Sequence, residues 1–370
     1  MKKGSSTNKA VKRLTDQARS QLQQDNLAEA ISSLTAVLDL DPKRAEAYAY
    51  RGLAHAGQGD LDRAFADFRR AIALDPKYAA AYYNRAVTYA AQGDLDKALD
   101  DYTQAIGLDP QLPGLLVHRG DAFFQKGEFR RAIEDYSQAI GLDPKYAGTY
   151  NSRGLAYAAK GDLAEAIADY SRAIVRDHKY AAAYYNRGFA YAAKGDPGGA
   201  IGDYTEAIAL RPNYAAAYVN RGVAHAAQGD LDRAIADYAQ AIALDPQFAA
   251  AYTNRGNAYL GQGDVAQAIA DYSQAIALDP QGATAYNNRG YAYYTQGDLA
   301  QAIADYERAM DCDPENPSAY YNRAFAYYKQ GNGPLALADL EHARALPMDP
   351  SARQENEAEW TQLQTEIPPS

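Results

Sequence analysis

The chain has 370 residues, a formal net charge of -10 and 47% hydrophobic residues. That apolar content is too high for a disordered polymer. The negative balance argues against a general nucleic-acid binder, which needs excess positive charge. Tyrosine is the unusual component: 32 Tyr stand against 8 Phe and 1 Trp, and a ring carrying a hydroxyl suits half-buried surfaces. The one cysteine, Cys312, allows no intramolecular disulfide and fits a reducing compartment. With no apolar run of membrane-spanning length, a cytoplasmic protein is expected.

At the N-terminus, Lys2, Lys3, Lys9, Lys12 and Arg13 surround Gly4, Ser5, Ser6, Thr7 and Asn8. A signal peptide would follow such a start with apolar residues. Residues 1–10 therefore read as a short, flexible basic tail. Beyond it the chain is periodic. Asp-Pro recurs at Asp41-Pro42, Asp75-Pro76, Asp109-Pro110, Asp143-Pro144, Asp245-Pro246, Asp279-Pro280 and Asp313-Pro314, always at multiples of 34 residues. Asp177-His178 and Arg211-Pro212 hold the same register imperfectly. With each Pro as position 32, ten repeats begin at Val11, Ala45, Ala79, Pro113, Ala147, Ala181, Ala215, Ala249, Ala283 and Pro317. They cover residues 11–350.

The repeat Ala215 to Phe248 shows the logic. Tyr218, Gly222 and His225 share one helix face, as do Ala234, Tyr238 and Ala241. Between the triplets, Gly229 suits the left-handed residue that ends a helix, and Asp230 is a good N-cap for the next. Pro246 follows the second helix, which it cannot continue. Each repeat is thus two antiparallel helices. Gly222 and Ala234 are small where these cross, and Tyr218 and Tyr238 fill the flanks. One unit cannot bury both of its faces, so units must stack.

Small residues at positions 8 and 20, aromatics at 4, 11 and 24, Ala at 27 and Pro at 32 resemble the tetratricopeptide-repeat family. The resemblance implies an all-α fold, a right-handed α-α superhelix whose first helices line a concave groove. Repeat one departs most, with Leu14, Ala18, Gln21 and Leu34, as a terminal repeat should. Repeat four opens with Pro113-Gly114-Leu115-Leu116, repeat five has His178 for Pro, and repeat six starts its second helix with Pro197-Gly198-Gly199. These read as softer joints. Residues 351–370 read as a capping helix and tail, the helix from about Ala352 to Glu366, with Trp360, Leu363 and Ile367 covering the last apolar face.

Nothing in the pattern suggests an enzyme. The thirty residues outside the repeats leave no room for a catalytic domain. His55, His118, His178, His225 and His342 are scattered, and packing is the expected role for them. No cofactor or metal is expected, since the glycines recur once per turn and serve the turn.

Two recurrent features remain. Position 7 is Arg and position 23 is Asp in nine repeats. Arg187 and Asp203, Arg221 and Asp237, and Arg255 and Asp271 exemplify a structural ion-pair ladder, within or between repeats. The second feature is an uncharged face on the first helix. Position 6 gives Asn84, Asn186, Asn220, Asn254, Asn288 and Asn322, and position 9 includes Phe189, Tyr291 and Phe325. Tyr294, Tyr321 and Tyr328 flank it. Two readings stand for these residues. The amides bond neighbouring helices and the apolar groups pack between repeats, or the stripe binds a ligand. The Asn spacing resembles the ladder of O-GlcNAc transferase repeat domains, which implies capture of extended peptide backbone. Position 5 lacks the lysines of a carboxylate clamp. The expected function is therefore a scaffold or adaptor for a protein or peptide, with no nucleic acid and no membrane involved. The alternative is a self-assembling homo-oligomer, which concentration-dependent mass would reveal.

Overall fold

The computed structural model describes residues 2–347, with side chains from Thr7 onward. Twenty α-helices account for most of the described residues. In chain order they are α1 (Lys2–Gln23), α2 (Leu27–Leu40), α3 (Ala45–Gly57), α4 (Leu61–Leu74), α5 (Ala79–Ala91), α6 (Leu95–Leu108), α7 (Pro113–Gln125), α8 (Phe129–Leu142), α9 (Ala147–Lys160) and α10 (Leu163–Arg176). There follow α11 (Ala181–Ala193), α12 (Pro197–Leu210), α13 (Ala215–Ala227), α14 (Leu231–Leu244), α15 (Ala249–Gly261), α16 (Val265–Leu278), α17 (Ala283–Gln296), α18 (Leu299–Cys312), α19 (Pro317–Lys329) and α20 (Gly333–Ala345).

The expected N-terminal tail is corrected: the first helix begins at Lys2, so residues 2–10 are turns of α1. From Thr7 onward, where side chains are described, Val11 is the first of α1 to be buried. The expected capping helix, with Trp360, Leu363 and Ile367, lies outside the described residues.

Turn chemistry sets the repeat. Nine glycines, from Gly59 to Gly331, hold φ between 75° and 93°, the left-handed region that costs glycine nothing. The first turn has Asp25 there instead, at φ 60°. The next residue caps the second helix. Asp60, Asp94, Asp196, Asp230, Asp264 and Asp298 each accept a bond from the backbone N–H three residues on, a cap contributing about 1 kcal/mol. Asp162 makes no such bond; its carboxylate is engaged by Lys160.

The core follows from the small positions. A Cβ built on Gly120, Gly154, Gly222, Gly256 or Gly290 would lie only 2.6–2.8 Å from a ring carbon of Tyr136, Tyr170, Tyr238, Tyr272 or Tyr306. The position-24 ring therefore rests directly on the backbone of the first helix. Each of these rings is at most 2% exposed, a burial that stabilises by on the order of 2 kcal/mol per ring.

The chain forms two compact units, Met1–Asn186 and Arg187–Ser370. In the first, α1, α3, α5, α7 and α9 touch in succession, while α2, α4, α6, α8 and α10 pack only on first helices. In the second, α13, α15, α17 and α19 touch in the same way, with α12 packed on α13 and with α14, α16 and α18 packed between their neighbours. First helices that meet while second helices do not must line the inner side of each unit.

Candidate interaction surface

The arginine at position 7 projects from the flank of the first helix toward the second helix of its own repeat. Arg187 reaches Asp203 with Nε and Nη2, both at 2.7 Å. Arg221 and Asp237 pair at 2.9 and 2.6 Å, and Arg255 and Asp271 at 2.7 Å twice. The same two-pronged geometry recurs in the other six repeats. All nine aspartates are buried. Hydrogen bonding to the aspartate holds the Arg221, Arg255 and Arg289 guanidinium groups above the ordinary arginine range. A ring at position 4 stacks near the cation, as Tyr218 does 5.5 Å from Arg221.

The remaining nitrogen, Nη1, works between repeats. Arg51 bonds Thr35, Arg119 bonds Thr103, Arg153 bonds Ser137, Arg221 bonds Thr205 and Arg289 bonds Ser273, at 2.9–3.3 Å. In each case the acceptor sits at position 25 of the preceding repeat. These side chains are consumed by structure and offer little to a ligand.

The position-6 amides divide. Asn84 is 8% exposed and does not face solvent. Packing against its neighbours removes it from any ligand surface, which corrects its place among the groove residues. Asn186 donates to the Asn151 side chain at 2.9 Å. Asn322 donates to Asn287 at 3.0 Å, and Asn288 donates to Asn257 at 2.9 Å. The Asn257 oxygen also accepts the Tyr272 hydroxyl at 2.8 Å. A polar chain thus links the first helices α15, α17 and α19. The partners Asn151, Asn257 and Asn287 were not singled out in the sequence; asparagine one residue before or three after the stripe was the available signal. Asn254 is half-buried and lines a cleft between α15 and α17 with Thr253 and Thr284. Asn220 is half-buried beside Val223.

The apolar side chains divide as well. Phe189 is 57% exposed, and Val223 and Tyr291 are each 45% exposed. Phe189, Pro197, Tyr204, Asn220 and Val223 line a cleft of about 390 Å³. Tyr294 stacks beside Tyr291, centroids 6.3 Å apart, and the Lys329 ammonium sits 4.6 Å from the Tyr294 ring. Tyr321 meets Phe325 edge-on at 4.8 Å. With Tyr328, both pack around Ala324, Ala336 and Leu340. These three aromatics therefore belong chiefly to the packing of the tenth repeat, while Phe189, Val223 and Tyr291 are its exposed counterparts on earlier first helices.

No helix among the described residues is long and apolar enough to cross a membrane. No curated protein sequence matches the chain significantly. Among solved structures, yeast Tom70 is 15% identical, with 97% of this chain and 96% of that chain aligned at a TM-score of 0.51. A tetratricopeptide repeat protein from Parabacteroides merdae is 19% identical over 72% of this chain and 98% of that one, with a TM-score of 0.53. The APC/C hetero-tetramer Cut9-Hcn1 is 17% identical over 95% and 75%, also at 0.53. At such identities these likenesses carry the fold alone. Sequence patterns described as tetratricopeptide repeat or TPR repeat match residues 15–79, 79–112, 120–161, 154–195, 181–214, 203–236, 224–263, 253–317 and 293–365. With nearly the whole length matched and every repeat built from the same paired helices, the chain belongs to the tetratricopeptide-repeat family.

Proposed function

We propose that the inner, first-helix face of the second unit binds an extended segment of a protein partner. Tetratricopeptide repeats generally mediate protein–protein interactions. The observation that carries the finer reading is the exposed position-9 row of Phe189, Val223 and Tyr291. Apolar side chains left in water at one register position, above a cleft, suit the anchoring of apolar partner side chains. Asn220 and Asn254 stand beside this row, and an amide offers both a donor and an acceptor to a peptide group. Asn288 and Asn322 already donate one hydrogen to a neighbouring repeat. They serve a ligand with the hydrogen and lone pairs that remain. With no charged side chain in the position-9 row of this unit and only Lys329 close to it, binding should depend weakly on salt.

The test replaces Phe189, Val223 and Tyr291 together with serine. All three are exposed, so the helical circular-dichroism signal and its melting should persist. Proteins captured from source lysate by wild type should then be lost, quantitatively, from the triple variant. Equal capture by a folded variant would place the binding surface elsewhere.

A further inference from the structure

Repeats four and five depart from the rest at one shared place. Position 2, never glycine in the other eight repeats, is Gly114 and Gly148. Position 6, asparagine in six repeats, is His118 and Ser152. Position 9 of repeat four is Asp121. All five residues line one cleft of about 470 Å³ between the first helices α7 and α9, within the first unit. A Cβ on Gly114 would meet nothing within 4 Å, and one on Gly148 would lie 2.7 Å from the Tyr146 ring. The glycines therefore open the cleft and let Tyr146 lie against its wall.

The polar lining is mainly acidic and aromatic, with one histidine, His118. Asp121 and Asp143 contribute carboxylates, Tyr146 and Tyr180 contribute rings, and no Lys or Arg lines the cleft. The Asp121 carboxylate accepts the Tyr136 hydroxyl at 2.7 Å and forms no ion pair among the described residues. In the same repeat, Asp135 is gripped by Arg119. Desolvation pushes the Asp121 carboxyl above the usual carboxylate range, outweighing the Tyr136 hydrogen bond and the nearby His118, which both lower it. Tyr146 is 62% exposed, among the most exposed large apolar side chains described. Its ring and that of Tyr180 supply faces that attract a cation.

We propose that this cleft is a pocket for a cationic side chain, lysine or arginine, of a partner protein. The ammonium or guanidinium would neutralise Asp121 and Asp143 while its methylene stem lies against Tyr146 and Tyr180. The pocket is separate from the apolar face of the second unit, so either can fail without the other.

The full chain is titrated with an acetylated, amidated pentapeptide of alanine with a central lysine, followed by amide chemical shifts. Matched peptides carry arginine, norleucine or glutamate at the centre. Lysine and arginine peptides should saturate and shift signals of α7 and α9, and norleucine and glutamate should bind at least tenfold more weakly. Asp121→Asn keeps an acceptor for Tyr136 and removes the charge; Tyr146→Ala removes an exposed ring. Each should weaken the lysine peptide at least tenfold with the helical signal unchanged. Norleucine binding as well as lysine, no saturation by either cationic peptide, or full lysine binding to both variants would each overturn the proposal.

Discussion

Arg153 grips Asp169 through Nε and Nη2 at 2.6 and 2.8 Å, and the aspartate side chain is wholly shielded from solvent. Arg172 adds a further bond to the same carboxylate at 2.6 Å. Removing one partner of a buried pair strands the other charge. Arg153→Ala should therefore destabilise the fifth repeat by about 3 kcal/mol, the lower end of the range for buried pairs because Arg172 remains. Replacing both residues, as Arg153→Met with Asp169→Leu, should cost much less. Denaturant melts of the single and double variants check this, and equal losses would show that the pair adds net stability rather than fixing packing.

Tyr272 and Tyr306 occupy the same position in successive repeats with opposite outcomes. The Tyr272 hydroxyl donates to Asn257, whereas the Tyr306 hydroxyl is buried without a hydrogen-bond partner. Position 9 explains the difference, because repeat nine carries Tyr291 where repeat eight carries Asn257. Tyr306→Phe should raise the unfolding midpoint, since an unpaired buried polar group costs about 1–3 kcal/mol. Tyr272→Phe should lower stability by about 1 kcal/mol. Thermal melts of the two variants, run side by side, should move in opposite directions.

The amide chain gives a further expectation. Asn186→Ala leaves Asn151, only 6% exposed, without its donor. That substitution should destabilise by about 1–3 kcal/mol. Asn254→Ala, with half-buried surroundings, should stay within about 0.5 kcal/mol. Replacing the whole stripe should lower the melting temperature, which is why the binding test above spares it.

Alkaline pH should unfold the protein. Burial pushes the Tyr238 hydroxyl up to about 12, and raises Tyr102, Tyr136, Tyr170, Tyr272 and Tyr306 in the same direction. Unfolded tyrosines ionise near about pH 10. Above that value the unfolded chain releases protons that the folded chain keeps, so stability falls as pH rises. The contribution is complete below about pH 10 and is lost through pH 12. Circular dichroism and tyrosinate absorbance should change together in that interval. Smooth ionisation with the helix signal intact would contradict the burial.

Periodicity made the paired helices legible, because Gly229, Asp230 and Pro246 each meet a local backbone requirement that no distant contact alters. The position-7 and position-23 charges were legible as a pair, since each acid has a matching base. Their placement within one repeat, and the third bond to position 25 of the one before, needed the angle at which helices cross. The asparagines were harder. An amide that suits a peptide also suits another amide, and spacing does not say whether Asn186 meets a ligand or Asn151. Residues 2–10 read as a tail because charge hides helical continuation. Gly114 stood out in the sequence as a departure, but His118, Asp121 and Gly148 did not, because only packing of α7 against α9 makes them a single cleft.

The arginine bridge to the preceding repeat is not universal. At position 25 of repeat two stands Arg69, so Arg85 bonds only its own Asp101. A like charge takes the place of an acceptor there, and the apolar cleft bordered by Leu53, Val87 and Thr88 opens across the same junction. In a linear array the couplings between neighbours decide whether unfolding is one event or several. This junction is a fracture line in the first unit. The first two repeats, α1 to α4, should detach as a block while the helices from α5 to α10 hold together. Their backbone amides should then exchange with solvent hydrogen together, and sooner than those of the next three repeats.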